Sequence, residues 1–238
     1  MKRKPPKTKR NSRRVIFLFD VDNTLLDNDR VIEDLRAHLR DKVGLPKCER
    51  YWKIFERLRS EVGFADYLGA LQGYRSVYPH DMHLLSVSKY LIDYPFANRL
   101  FPSSIDAIRH VQQWGFVGLL TDGDVVFQPR KVERAGLYDA VQGHVLIYIH
   151  KEKELADVQA HYPADHYVIM DDKLHLLDAI KKIWRGRVST VFVRQGHYAR
   201  DPKILSSVGP ADLTIDRIGD LLDYDKDQLV GAALKSHT

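Results

Sequence analysis

The feature that most constrains this chain is an apolar run, Val15-Ile16-Phe17-Leu18-Phe19, that ends directly in Asp20-Val21-Asp22-Asn23-Thr24. An unbroken run of apolar residues reads as a strand buried on both faces, which belongs to a parallel sheet covered by helices. In such sheets chemistry collects beyond the carboxyl ends of the strands. Asp20 and Asp22 stand two residues apart, so both carboxylates can turn toward one small volume, where they repel unless a cation lies between them. A hard divalent ion with oxygen ligands, Mg²⁺ before others, relieves that repulsion. An N-cap and turn cluster uses the same residue types. The motif alone leaves the two readings even.

Three later segments break the tie. Residues 116–120 form a second apolar run followed by Thr121-Asp122-Gly123-Asp124. Residues 144–149 are followed by His150-Lys151, and residues 167–170 run straight into Asp171-Asp172. The series of Asp-x-Asp-x-Thr, then Thr, then Lys, then paired acids resembles the haloacid dehalogenase (HAD) superfamily of phosphotransferases, in the order that family uses. The resemblance spans roughly residues 15 to 223. It implies an α/β fold with a doubly wound, mostly parallel, Rossmann-like sheet and an inserted α-helical cap.

The spacing of the runs agrees. About ninety residues without a strand-like run separate the first two strands, far more than an ordinary crossover. Val31, Leu35 and Leu39 recur at helical intervals, as do Trp52, Phe55, Leu58 and Val62. Further helices are expected over 64–71 and 80–91. We place the cap at 27–98 and the core at 15–26 and 99–225. Ser103 with Asp106 predicts a capped helix that ends at Gly115. From residue 116 strands and helices alternate, with helices over 155–161 and 174–183 and strands over 189–193 and 213–215, as in a parallel doubly wound sheet. Residues 226–238 read as a C-terminal tail.

Phosphoryl transfer needs an in-line nucleophile, neutralisation of phosphoryl oxygens and a proton for the leaving oxygen. The resemblance implies Asp20 as the nucleophile that forms an aspartyl-phosphate, and Asp22 as the general acid and base. Thr121 is expected to place its hydroxyl on a phosphoryl oxygen, with backbone N–H groups near Asp122 and Gly123 adding to the cradle. Many relatives have Asn where this chain has Asp122. Lys151 is expected to neutralise nucleophile and phosphoryl group, with Lys153 competing for the role. Lys131 is a third candidate, but Val132 and Leu137 suggest an amphipathic helix with Lys131 in solvent. Asp20, Asp22, Asp171 and Asp172 are the candidate Mg²⁺ ligands, with the choice between Asp171 and Asp172 open. Asp178 follows Asp172 by six residues, slightly farther than the family's usual second acid.

Asp22 also separates reactions within the family. Members that displace halide lack an aspartate there, because halide leaves without a proton. Asn23 stands where sugar phosphomutases commonly carry Gly, which favours hydrolysis. The expected function is Mg²⁺-dependent hydrolysis of a small phosphomonoester. The alternatives are a phosphomutase or phosphotransferase of the same fold, and a non-catalytic binding protein that retains it. The histidines, including His150 and His197, show no zinc spacing and read as scattered. The cap aromatics read as core, and Arg57, Arg59 and Arg75 as solvated surface or contacts to a second anion.

Composition narrows the partners. A formal charge of +5 suggests nucleic acid, but eight of the 37 Lys and Arg precede Val15, leaving 29 against 32 acidic residues. Basicity belongs to the tail, residues 1–14, which lacks apolar residues between Met1 and Val15 and is expected to be disordered. Nonspecific contact with polyanions through that tail is the extent of the nucleic-acid expectation. No stretch approaches the roughly 20 apolar residues of a membrane span, and the single cysteine, Cys48, fits a reducing compartment. A cytoplasmic enzyme with a small-molecule substrate is expected, its oligomeric state open.

Overall fold

The computed structural model of the protein describes residues 14–206 and 208–235. Strands β1 (Val15–Phe19), β2 (Phe116–Asp122), β3 (Val145–Tyr148), β4 (His166–Asp171), β5 (Val188–Val193) and β6 (Leu213–Ile215) form one sheet in the order β3-β2-β1-β4-β5-β6. Every pairing is parallel. The chain runs outward from β1 to β3, then returns to lay β4 against the other side of β1. The strand order therefore reverses beside β1, and the carboxyl ends of β1, β2 and β4 open on one crevice.

Both faces of the sheet are buried, which is why the strands read as continuous apolar runs. Phe17 and Phe19 point to one face, where they meet α5 (Ser104–Gln112), α6 (Phe127–Arg134) and α7 (Leu137–Ala140). Ile16 and Leu18 point to the other, covered by α8 (Leu155–His161), α9 (Leu174–Trp184) and α10 (Pro202–Leu205).

Between β1 and β2 the chain forms α1 (Asn28–Val43), α2 (Leu45–Val62), α3 (Tyr67–Val77) and α4 (Leu84–Asp93). Their apolar stripes, among them Leu35, Leu39, Trp52 and Phe55, join the first core face without a break. Two adjacent chain passages connect this helical layer to the sheet: Asp27 N–H donates to Arg99 O at 2.7 Å, and Leu26 bridges Leu100 antiparallel. α3 and α4 start later than their apolar periodicity predicts. Asp66 Oδ1 caps α3 by accepting from Gly69 N–H at 2.7 Å, while Asp81 Oδ1 accepts from His83 N–H at 2.9 Å in the turn that precedes α4.

Two further expectations are corrected. Ser103 sits at φ +64 and makes no cap bond. α5 begins instead at Ser104, whose hydroxyl donates to Leu25 O at 2.7 Å across the cap junction. Residues read as a C-terminal tail form α11 (Lys226–Lys235), where Leu229 is fully buried and Val230 O accepts from the Ser189 hydroxyl. A few apolar contacts to the sheet outweigh the weak amphipathic signal of this segment. The basic stretch over 1–13 lies outside the described residues. No helix among the described residues is long and apolar enough to cross a membrane.

Candidate active site

β1 delivers Asp20 to the crevice, and Asp20 N–H donates to Met170 O at 2.9 Å, which locks the end of β1 to β4. One residue farther along β4, Asp171 and Asp172 complete a buried acidic group. Carboxylate oxygens from Asp20, Asp171 and Asp172 all lie within 4.8 Å of one another. Lys151 follows β3, is 1% exposed, and places its ammonium 2.5 Å from Asp20 Oδ1 and 2.6 Å from Asp171 Oδ2. Lys153 is exposed. The two lysines are thus separated by fold: only Lys151 reaches the acids.

Lys151 is the ammonium within ion-pair distance and Lys173 adds its charge from farther off, yet carboxylate oxygens are left without a hydrogen bond. Asp20 Oδ2 and both oxygens of Asp172 are buried with no hydrogen-bond partner. Burial, then the neighbouring charges of Asp171 and Asp20, raises the Asp172 carboxyl well above the usual range. Burial likewise pushes Asp171 up to about 6, although Lys151 pulls the other way. Burial opposes the charge of Lys151, yet Asp171 and Asp20 overcome it and hold that amine well above its ordinary value. An all-oxygen, charge-rich and hydrogen-bond-poor cluster of this kind fits a hard dication such as Mg²⁺. Asp171 and Asp172 both belong to it. Asp178 does not, since it pairs with Lys182 at 2.6 Å.

Asp22 is placed differently from the expectation that it joins the metal ligands. Its carboxylate turns toward α6, where Lys131 Nζ donates to Oδ1 at 2.6 Å. Lys131 is itself corrected from solvent to core, being 1% exposed and also donating to Asn28 Oδ1 at 3.0 Å. The helical pattern around it is as read, but the inward face carries an ammonium because Asp22 waits opposite.

Thr121 is the next-to-last residue of β2, and its hydroxyl accepts from Gln128 Nε2 at 3.0 Å. The expected backbone cradle is narrower than supposed. Gly123 N–H donates to Tyr148 O at 2.9 Å and is already engaged by the sheet. The glycine instead admits α6: a Cβ here falls 2.5 Å from Gln128 Cβ. Asp122 Oδ1 accepts from Lys151 N–H at 2.8 Å, so its side chain fixes the turn that carries the lysine. Burial raises its carboxyl, against the charge of Lys151.

Asn23 is also structural. At φ +60 it turns the chain, while Oδ1 accepts from Asn28 N–H at 3.0 Å and Asp29 N–H at 3.1 Å. The start of α1 is thereby pinned to the loop after Asp20.

A cavity of about 360 Å³ lies over these groups, with Asp22, Asp122, Gln128 and Lys131 in its wall. The helices between β1 and β2 add Phe55, Arg59 and Tyr67 to its lining. Gly63 at the end of α2 meets core residue His150, and a Cβ there falls 2.6 Å from its Cε1. The helices between β1 and β2 thus pack directly against the turn after β3. Lys173, His175 and His197 also line the cavity, and His197 Nδ1 lies 2.6 Å from Asp29 Oδ1. Sequence reasoning weighed Lys131 and set it in solvent; it missed Gln128, Asn28 and Lys173 as site residues. Lys173, directly after the paired acids, carried a usable signal of proximity; the others carried none.

Comparison with known proteins gives the family. A model of haloacid dehalogenase-like hydrolases matches residues 15–184. A solved structure described as a haloacid dehalogenase-like hydrolase, from Burkholderia xenovorans LB400, is 57% identical, with a TM-score of 0.87 over 91% of this chain and 99% of that one. A HAD-hydrolase from Bacillus subtilis, bound to magnesium, is 15% identical with a TM-score of 0.59, covering 89% of this chain and 100% of that one. L-2-haloacid dehalogenase from Xanthobacter autotrophicus, with chloropropionic acid covalently bound, is 15% identical with a TM-score of 0.56, covering 87% and 96%. Among curated proteins no match is found. The chain belongs to the haloacid dehalogenase-like hydrolases.

Proposed function

We propose that this hydrolase acts on a small phosphomonoester, through an aspartyl-phosphate formed on Asp20. The observation that carries the reading is Asp22, a second carboxylate at the cavity wall, 26% exposed and two residues past the nucleophile. An alkoxide is a poor leaving group and needs a proton; a halide does not. The Xanthobacter autotrophicus relative holds chloropropionic acid covalently on the same fold, so the fold admits both chemistries and the acid distinguishes them.

A carboxylate oxygen of Asp20 attacks phosphorus, the ester P–O bond breaks, and the departing oxygen takes a proton from Asp22. Asp22 then accepts a proton from water, whose oxygen attacks the same phosphorus. The Asp20–phosphorus bond breaks and inorganic phosphate leaves. Lys151 offsets charge on Asp20 and on the phosphoryl oxygens, and Thr121 offers its hydroxyl to one of them. Asp20, Asp171 and Asp172 would hold Mg²⁺, which supplies charge neutralisation at the phosphoryl group. The magnesium in the Bacillus subtilis relative supports that choice.

Phosphate release from para-nitrophenyl phosphate, with and without Mg²⁺, tests the reading beside chloride release from 2-chloropropionate. Phosphate release that depends on Mg²⁺ and disappears in Asp20→Asn is expected. Chloride release without phosphate release, or undiminished phosphatase activity in Asp20→Asn, contradicts it.

A further inference from the structure

The side chain of Lys131 has no part in the steps above, yet it is a buried ammonium in the wall of the cavity. It lies 5.3 Å from the centre of the Phe127 ring and donates two hydrogen bonds. Nζ donates to Asp22 Oδ1 at 2.6 Å and to Asn28 Oδ1 at 3.0 Å. Asn28 is the first residue of α1, immediately after the passage where Asp27 N–H meets Arg99 O. One turn earlier on the same face of α6, Gln128 donates to the Thr121 hydroxyl at 3.0 Å and lies 3.5 Å from Asp22 Oδ2. Residues three apart on a helix face the same way. The outward residues of this helix, Arg130 and Glu133, pair with each other at 2.9 Å instead. A single helix face therefore fixes both the second aspartate and the threonine.

We propose that Lys131 is the positioning residue of Asp22, holding its carboxylate on the α6 side of the cavity and tying that position through Asn28 to the root of the cap. A carboxylate held by a fixed cation has few orientations to search, and proton transfer demands a defined one. Its distance from the acid cluster follows from the same tether. Asp20 faces Lys151 while Asp22 faces Lys131, so each of two acids two residues apart has its own lysine. Of the two groups that accept from Lys131, Asn28 is the one that belongs to the cap. Displacement of α1 at its first residue thus releases one ligand of the ammonium that holds Asp22.

The catalytic consequence rests on the phosphomonoesterase reading, and the experiment separates the two. kcat/KM is measured for para-nitrophenyl phosphate, whose leaving group needs little protonation, and for an alkyl phosphate such as glycerol phosphate, whose leaving group needs much. In Lys131→Met both values fall, and the ratio of aryl to alkyl kcat/KM rises by about tenfold or more, as general acid contributions of roughly 10² to 10⁴ allow. Asn28→Ala shifts the ratio in the same direction by less, and serves where Lys131→Met does not fold. Lys131→Arg, which keeps the charge, restores part of the ratio. Equal losses on both substrates, or an unchanged ratio in the folded variants, overturn the positioning role. Crystal structures of wild type and Lys131→Met provide an arm that needs no turnover. Asp22 within hydrogen-bond distance of Lys131 in the wild type and turned away in the variant supports the proposal; an Asp22 unmoved by the substitution defeats it. A wild type inert toward both esters sinks the phosphatase reading, and the crystallographic arm still decides the tether.

Discussion

Two buried carboxylate sites in this molecule have opposite electrostatics. In the cap, the carboxylate of Asp81 is fully covered by its partners: Lys47 at 2.6 Å and the Tyr74 hydroxyl at 2.6 Å on one oxygen, and His83 N–H at 2.9 Å on the other. Burial raises its proton affinity, but these bonds prevail and its carboxyl falls well below the usual range. At the strand ends, Asp172 has no partner on either oxygen and shifts upward. A satisfied buried acid ties α2, α3 and the α4 start together. An unsatisfied one costs stability, a cost that a cation or a reacting group bound there would offset.

That contrast can be broken by substitution. The largest expected effect is on chemistry: Asp20→Asn lowers phosphate release by about 10³-fold or more, since it removes the nucleophile, while Asp81→Asn leaves it within about twofold because the cap acid touches no reacting atom. Steady-state assays at saturating Mg²⁺ check both. Next in size, Asp81→Asn destabilises the protein by about 1–3 kcal/mol through lost charged hydrogen bonds, read by urea unfolding. Asp172→Asn acts with the opposite sign in chelator. It removes a buried carboxyl that must take up a proton on folding or carry a charge beside two other acids, and the metal-free protein gains about 1–2 kcal/mol, or roughly 5 °C in Tm.

The smallest effect is on pH dependence. Because the folded-state value of Asp81 lies below its unfolded value of about 3.9, its contribution is complete above that value and is lost as pH falls through the folded one. Stability curves of wild type and Asp81→Asn should converge as pH drops below about 4. Parallel curves down to pH 3 would show that the Asp81 network does not stabilise the charged form.

The sheet and its strand-end groups are legible in the sequence, because a strand buried on both faces leaves a continuous apolar run and the residue after it must emerge at the crevice. Asp20, Thr121, Lys151 and the Asp171-Asp172 pair are all found that way. Lys131 is not, since helical periodicity assigns any lysine to solvent unless the opposing acid is known. Asp22 lies 109 residues away from it in the chain. The same limit hides Gln128, and it turns Gly123 from an expected phosphate contact into clearance for that side chain. Asn23, read as a marker of reaction type, proves to be a turn residue that pins α1. Its positive φ and its bonds to Asn28 and Asp29 depend on where the cap joins the core, which no local pattern records.

The central claim is that the strand-end acids form a site short of positive charge. Calorimetric titration of Mg²⁺ into the metal-free protein tests it directly. One binding site in wild type, lost in Asp172→Asn and retained in Asp81→Asn, is the predicted result. No binding to wild type, or equal binding to Asp172→Asn, contradicts the account.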